Sequence, residues 1–151
     1  MEPRVLDQLL EATVLLQKDL ARAFEGTPLT TARTHLLWTL RTGPMTQQAL
    51  ATALEVSPRN ITGLVDALEA SGYVARGAHP TDRRATVVSL TELGERTMAK
   101  MGEDHRMLSH DLVAGLERDD VDRLERGLDV VIDRLKSLMA ADQATSEPGE
   151  S

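Results

Sequence analysis

Residues 46–94 read TQQALATALEVSPRNITGLVDALEASGYVARGAHPTDRRATVVSLTELG, and this stretch decides the fold. Thr46 can cap one helix, and Ser57 can cap a second helix that has proline at its first position. Two β-type runs follow, Tyr73–Arg76 and Thr86–Leu90, on either side of a polar loop that contains Gly and Pro. This pattern predicts a hairpin. The stretch therefore predicts two short helices joined by a tight turn and followed by a hairpin.

Long helices are predicted on both sides of this stretch, over about residues 4–25 and 93–140. Their apolar residues recur at steps of three and four, which is typical of helices that pack nearly side by side. These apolar faces exceed what the helix pair and hairpin can cover, so a second copy of the chain is expected to cover them. The residues expected at this dimer interface are Leu6, Leu9, Leu124, Leu128, Val131 and Leu135. The alternative is a monomer in which the long helices close a bundle on themselves.

The fold class is therefore mainly α with a small β-hairpin. One domain is expected over residues 1–141, with a central lobe of about residues 30–92 between the N- and C-terminal dimerisation helices. Residues 142–151 are polar and show no periodicity, so we expect a disordered tail there.

Composition argues against several classes of function. The 151 residues include no cysteine, so disulfides, thiolate zinc sites and thiol redox sensing are excluded. The motifs G-x-G-x-x-G and G-x-S-x-G are absent, and His105 and His110 are spaced for different helix faces. No catalytic residue, metal site or cofactor is predicted. Because no N-terminal signal or apolar run of about 18 residues occurs, we expect a soluble cytoplasmic protein without a membrane partner.

The formal net charge of −7 is unevenly distributed along the chain. Residues 103–151 contain 13 acidic and 6 basic side chains, whereas residues 1–102 contain 11 of each. All the excess acid thus lies outside the helix pair. The whole-chain charge is weak evidence against nucleic-acid binding, although the first part is neutral and not basic.

The second helix of the pair, which begins after Ser57, has one apolar face and one polar face. Arginine can bond guanine and asparagine can bond adenine in bidentate fashion, so Arg59 and Asn60 are expected to read bases in a major groove. Thr62 is expected to reach a phosphate or a thymine methyl. Gly63 lowers the stability of the helix by about 1 kcal/mol relative to alanine. Close approach of another surface to the helix would compensate for this loss. The alternative is an ordinary solvated helix face.

Three charged residues lie at the tip of the hairpin. Arg83 and Arg84 are adjacent and point to opposite sides of extended backbone, so only one can enter a groove deeply. A narrow minor groove attracts such a guanidinium group. Asp82 is expected to hold Arg84 or Arg76 in position. In the alternative interpretation, the tip only aids solubility.

Asp66 lies on the polar face of the helix that begins after Ser57, where its negative charge would be repelled by phosphates. It either accepts a hydrogen bond from cytosine or is solvated beyond the edge of the contact.

The order LTTARTHLLWTL, then TQQALATALEVSPRNITGLVDALEASGYVAR, then HPTDRRATVVSLTELG resembles the MarR family of bacterial winged helix-turn-helix regulators over about residues 4–140. The most specific part is the wing, in which Asp82-x-Arg84 is followed by Val88 and by Leu90-Thr91-x-x-Gly94. The resemblance implies a triangular homodimer of six helices and a hairpin, joined through its terminal helices. It also implies that the major groove is read by Ser57, Arg59, Asn60 and Thr62, and that Arg84, supported by Asp82, enters the minor groove.

The resemblance implies a homodimeric, sequence-specific transcriptional regulator. We expect a repressor that binds a palindromic operator in double-stranded DNA and is released by a small aromatic or anionic effector. Candidate ligand-binding residues are Phe24, His35 and Trp38. In the alternative interpretation, Phe24 and Trp38 are core residues and His35 is a partly buried, hydrogen-bonded residue.

The second function considered is a winged-helix module that binds another protein and does not bind DNA. The near-zero charge of residues 1–102 would suit that function.

Overall fold

A computed structural model describes residues 4–145 of the chain, with side chains as far as Asp142. Six helices and three strands are found in these residues. In chain order they are α1 (Val5–Ala23), α2 (Thr31–Leu40), β1 (Met45–Thr46), α3 (Gln47–Ala53), α4 (Pro58–Ala70), β2 (Val74–Ala78), β3 (Thr86–Leu90), α5 (Glu92–Leu112) and α6 (Arg118–Thr145). The chain is mainly helical with a small antiparallel sheet, as the sequence predicts.

The helix starts predicted from capping residues are confirmed. The hydroxyl of Thr46 accepts a hydrogen bond from Ala49 N at 3.1 Å, and that of Ser57 accepts one from Asn60 N at 3.1 Å. Helix α2 is capped in the same way by Thr30, whose hydroxyl accepts from Arg33 N at 3.3 Å. Each cap satisfies a backbone N–H that the first helical turn leaves without a partner.

Contacts divide the chain into two compact units, the first ending at Glu103 and the second beginning at Asp104. The core of the first unit lies where α2, α3 and α4 pack on the sheet and on the start of α5. Its largest fully buried side chains are Leu36, Leu37, Leu50, Ile61, Leu68, Met98, Val65, Val74 and Val88. Apolar burial of this extent is the main force that stabilises the unit.

The sheet has the order β1-β3-β2 with antiparallel pairs. Val74 pairs with Leu90 and Ala78 pairs with Thr86, which forms the predicted hairpin. β2 begins at Val74 and not at Tyr73, because Tyr73 closes the end of α4 through its N–H to Leu68 O at 2.9 Å.

A third strand, β1, was not predicted. Met45 pairs with Val88 and Thr46 pairs with Val87, so the residues just before α3 extend the hairpin on its β3 edge. The capping role of Thr46 is evident from the sequence, but the strand is not, because two residues are too few to show an alternating pattern.

Apolar side chains remain exposed on α1 within the first unit. None of its residues is buried, and Leu6 and Leu10 are 66% and 57% exposed. No helix in residues 4–145 is both long and apolar enough to cross a lipid bilayer.

The second unit contains the last turns of α5, a turn with Gly115 at a φ of 91°, and α6. The exposed side chains of α6 include Leu124, Leu128, Leu135 and Leu138.

The end of α6 differs from the prediction. The helix continues to Thr145, so residues 142–145 are helical where a disordered tail was expected. Alanine and glutamine are good helix formers, and both occur in this last turn. The rest of the predicted tail, residues 146–151, lies outside the described residues.

We expect Gly94→Ala to destabilise the first unit. A Cβ at this position would overlap the carbonyl oxygen of Tyr73, and a carbonyl in the backbone cannot turn aside as a side chain can. The expected loss in unfolding free energy is about 1–3 kcal/mol, measured by urea denaturation. The control is Gly102→Ala in the same helix, where a Cβ meets no atom within 4 Å. This control should raise the unfolding free energy by up to about 1 kcal/mol. Equal effects of the two substitutions would contradict the close packing of α5 on Tyr73.

Candidate nucleic-acid interface

Helix α4 is fixed by its buried face. Ile61, Val65 and Leu68 recur at steps of four and three and are at most 1% exposed. Because these side chains lie in the core, the rotation of α4 about its axis is set by packing. The opposite face therefore has one defined orientation toward solvent.

The polar side chains predicted to contact DNA lie on the first turns of α4 and are exposed. Ser57 caps the helix, and Arg59 and Asn60 follow it at the surface. Within the described part of the chain, the Arg59 guanidinium has no ion-pair partner. It is therefore available to an external hydrogen-bond acceptor.

Gly63 lies in the middle of this exposed face. A Cβ at Gly63 would meet no atom within 4 Å, so the fold itself does not require glycine there. The gap in the helix surface thus has no packing explanation within the first unit.

The hydroxyl of Thr62 is already engaged within the chain. It donates to Pro58 O at 2.9 Å and accepts from the side-chain amide of Gln47 at 2.8 Å. A phosphate can only accept hydrogen bonds, so a contact to the predicted phosphate would have to replace the bond to Pro58. The methyl group remains available to a thymine methyl. Gln47, which ties α3 to α4, carries no sequence signal beyond its place after a capping residue.

Arg76 on β2 joins three elements, a role that was not predicted from the sequence. Its guanidinium contacts Asp66 Oδ1 at 2.5 Å and Glu69 Oε2 at 2.6 Å, both on α4. Its Nε donates to Gln47 Oε1 on α3 at 3.4 Å. The wing strand and both helices of the pair are therefore linked through one side chain. The sequence does contain a signal for this network. It has two acidic residues three positions apart on a helix, followed after a turn by an arginine.

This network corrects two expectations. Asp66 is not merely solvated, because its Oδ1 is paired with Arg76, and a hydrogen bond from cytosine to its other carboxylate oxygen stays a prediction. Asp82 does not hold Arg76, since the Arg76 guanidinium is occupied by residues of α3 and α4. A carboxylate paired with an arginine repels nearby phosphates less than an isolated one.

The charge of Glu69 reflects the same contacts. The hydrogen bonds from the Arg76 side chain and backbone lower the pKa of the Glu69 carboxyl, because they favour its charged form. Glu69 is exposed to solvent, so the effect on overall stability is small.

The wing tip supports Arg84 through the backbone. Asp82 Oδ1 accepts from Arg84 N at 3.0 Å, and Asp82 O accepts from Ala85 N at 3.2 Å. Asp82 was expected to hold either Arg84 or Arg76. It contacts Arg84, through the backbone N–H of Arg84 and not through the guanidinium group. The guanidinium groups of Arg83 and Arg84 are exposed and have no ion-pair partner among residues 4–145.

The three candidate ligand residues lie in different surroundings within the described residues. Phe24 lines an open depression of about 510 Å³ between the end of α1 and the start of α2, and neither His35 nor Trp38 is part of its lining. His35 is exposed and not partly buried as the alternative interpretation assumed. Trp38 packs against the core and lies beneath Arg41, whose guanidinium carbon is 3.8 Å from the ring centre. The described residues contain no group of three or more His, Asp or Glu side chains that could hold a metal ion.

Comparison with known proteins identifies the family. Residues 29–86 match the model of the MarR family. The HTH-type transcriptional repressor IacR of Pseudomonas putida is 30% identical over 122 residues, which are 80% of this chain and 73% of that protein. The chain belongs to the MarR family.

Solved structures agree with this assignment. AbsC, a MarR family transcriptional regulator from Streptomyces coelicolor, is 25% identical with a TM-score of 0.69, over 88% of this chain and 93% of AbsC. Streptococcus pneumoniae FabT, solved in complex with DNA, shares the fold with a TM-score of 0.82 at 19% identity, over 89% of this chain and 97% of FabT. As a MarR family member, this chain is a winged-helix transcriptional regulator and not an enzyme.

We predict that Arg76→Met raises the pKa of Glu69 toward the ordinary glutamate value, because the hydrogen bonds that favour the carboxylate are lost. A carbon-13 NMR titration of the side-chain carboxyl measures this. A lowered pKa in the folded state contributes stability above the ordinary value, about 4.3, and that contribution disappears as the pH falls through the folded value. The wild type should therefore exceed Arg76→Met in unfolding free energy by less as the pH falls from the ordinary pKa of glutamate through the lowered pKa of Glu69.

The matched control is Arg96→Met, which removes an exposed arginine whose partner is Glu92. It should leave the titration of Glu69 unchanged. Identical Glu69 titrations in the wild type and in Arg76→Met would show that the network does not form in solution.

Proposed function

We propose that the chain is a homodimeric regulator that binds a palindromic operator in double-stranded DNA. In this proposal α4 lies in the major groove and the wing tip contacts the adjacent minor groove. The observation that carries it is the exposed face of α4, which presents Arg59, Asn60 and Gly63 in one fixed orientation beside a wing with two unpaired arginines.

The pairing of charges explains how a neutral lobe can approach a polyanion. Asp66 and Glu69 lie on α4 and would repel phosphates, but the Arg76 guanidinium contacts both of them. The Asp82 carboxylate faces a backbone N–H. The charges near the proposed interface are therefore more favourable to DNA binding than the net charge of residues 1–102 indicates.

Gly63 supports direct entry of α4 into a groove. Glycine inside a helix costs about 1 kcal/mol, and no neighbour in the first unit requires it. A base edge or sugar that comes close to the helix backbone would compensate for this cost, because any side chain would hold it away.

Exposed apolar stripes support the homodimer. Helix α6 carries Leu124, Leu128 and Leu135 at intervals of four and seven residues, and these side chains are 36–56% exposed. Leu6 on α1 is 66% exposed. Their neighbours in the predicted interface, Leu9 and Val131, are half-buried. A two-fold dimer would cover these stripes and place two copies of α4 on successive turns of a duplex.

Repression and effector release are the finer parts of the proposal. A dimer bound over an operator blocks access of other proteins to that DNA, and the relative IacR is named a repressor. The expected aromatic or anionic effector stays a prediction, with Phe24, His35 and Trp38 as the candidate residues.

A salt titration distinguishes DNA binding from the alternative of a protein-interaction module. Neutralising phosphates releases counterions, so affinity for a random-sequence duplex should fall by roughly a thousandfold between 50 and 200 mM salt if about six phosphates are contacted. Arg84→Ala should reduce the slope of log affinity against log salt by about one, while the control Arg96→Ala on α5 leaves it unchanged. No measurable duplex affinity at 50 mM salt would favour the protein-interaction module.

We predict that Gly63→Ala strengthens the fold and weakens duplex binding. The added methyl group raises the unfolding free energy by about 1 kcal/mol but separates the helix from DNA, so affinity should fall about tenfold or more. Calorimetry and fluorescence anisotropy measure the two effects. Gly102→Ala, with a similarly open site on α5, should gain stability and retain affinity. Full affinity of Gly63→Ala would show that this face of α4 does not approach DNA.

Replacing both Leu128 and Leu135 with aspartate should produce monomers with little operator affinity, because two carboxylates would be buried in the proposed interface. Analytical ultracentrifugation at micromolar concentration measures the assembly state. The control is Arg126→Gln with Lys136→Gln, which lowers the net charge by the same amount outside the apolar stripe of α6. A dimeric double-aspartate variant would contradict this interface.

A further inference from the structure

His79 lies at the base of the wing tip, where it contacts two backbone N–H groups. Its Nδ1 is 3.2 Å from Thr81 N and 3.1 Å from Asp82 N. The Thr81 hydroxyl is 3.3 Å from the same atom, and His79 N donates to Ala85 O at 3.4 Å across the loop. The imidazole therefore closes the turn that carries the wing arginines.

These contacts assign the tautomer of His79. A backbone N–H can only donate, so Nδ1 must present its lone pair to Thr81 and Asp82. The proton of the neutral ring then resides on Nε2. Pro80, between His79 and these donors, has no N–H and a fixed φ, so the first amides after His79 that can donate to its side chain are those of Thr81 and Asp82.

A chain of contacts leads from His79 to Arg84. The imidazole accepts from the N–H of Asp82, and the Asp82 carboxylate accepts from the N–H of Arg84. Asp82 O also accepts from Ala85 N, where the loop returns to β3. Each contact fixes the backbone that presents the next side chain.

We propose that His79 is a positioning residue of the wing, and that its neutral form is required for wing-dependent DNA binding. The proposal rests on the proposed function, because it concerns how Arg84 is presented to a duplex. It adds a titratable group to the control of that contact. No contact between His79 and DNA is invoked.

Protonation would remove the acceptor on which the turn depends. An imidazolium carries a proton on Nδ1, which would then face two N–H donors. Histidine is the side-chain type that changes charge between pH 5 and 8. The charged side chains in the same loop are Asp82, Arg83 and Arg84. The ordered turn should therefore be present at high pH and lost as the pH falls.

The first test measures the wing without DNA. Nitrogen-15 NMR of the histidine rings at pH 7.5 should show His79 with an unprotonated Nδ1, and hydrogen exchange should show protected amides at Thr81 and Asp82. His79→Ala should lose this protection. His79→Asn should keep it, because asparagine can accept from the amides that follow it in a similar turn. Equal protection in His79→Ala and the wild type would overturn the positioning role.

The second test measures duplex affinity at pH 7.5 and 5.5. His79→Ala should bind about tenfold more weakly than the wild type at pH 7.5, and His79→Asn should bind nearly as well. Lowering the pH should weaken the wild type relative to His79→Asn by a similar factor, because only the wild type can lose its acceptor. In an Arg84→Ala background, His79→Ala should have little further effect.

The outcomes separate this inference from the proposed function. If the wild type binds no duplex at either pH, the proposed function fails, while amide exchange still decides whether His79 positions the wing. If the wild type binds but the ratio to His79→Asn is independent of pH, the titratable role is wrong. A wild-type affinity that rises relative to His79→Asn at low pH would instead indicate that the imidazolium attracts phosphates, and would also overturn the proposal.

Discussion

Burial of one face of α4 is the constraint on which the other features depend. Ile61, Val65 and Leu68 are enclosed by the core of the first unit, so α4 cannot rotate without exposing them. Its exposed residues are therefore presented in one direction, and recognition of a surface needs no reordering of this helix. Such preorganisation favours binding to a groove, because a helix that is already ordered loses little backbone conformational entropy on binding.

Electrostatic pairing complements this packing. Arg76 links β2 to α4 and α3 through two carboxylates and the Gln47 amide, so the wing strand and the helix pair share one network. The same contacts neutralise the acids nearest the proposed interface and leave Arg59, Arg83 and Arg84 exposed. The total charge of the chain is thus a poor guide to whether it binds DNA. The ion pairs that each charged side chain forms are more informative, because they show which charges stay unpaired.

Local features were predictable from sequence, and contacts between elements were not. The caps at Thr46 and Ser57, the hairpin and the buried face of α4 follow from residue types at short spacings. The short strand β1 depends on β3, which lies forty residues away, and the pairing of Asp66 with Arg76 depends on how α4 meets β2. The engagement of the Thr62 hydroxyl and the turn at His79 need the side-chain geometry of a folded loop or helix. Tertiary contacts of this kind have no periodic signature.

Selection of binding sites from a random duplex library, by the wild type and by Arg59→Ala, tests the orientation of α4 on DNA. We expect the wild type to enrich a two-fold symmetric motif with half-sites about one helical turn apart. Arg59→Ala should enrich the same symmetric motif with the preference relaxed at one position in each half-site, since one bidentate contact is removed. No enriched motif for the wild type, or an unchanged motif for Arg59→Ala, would contradict the orientation assigned to α4.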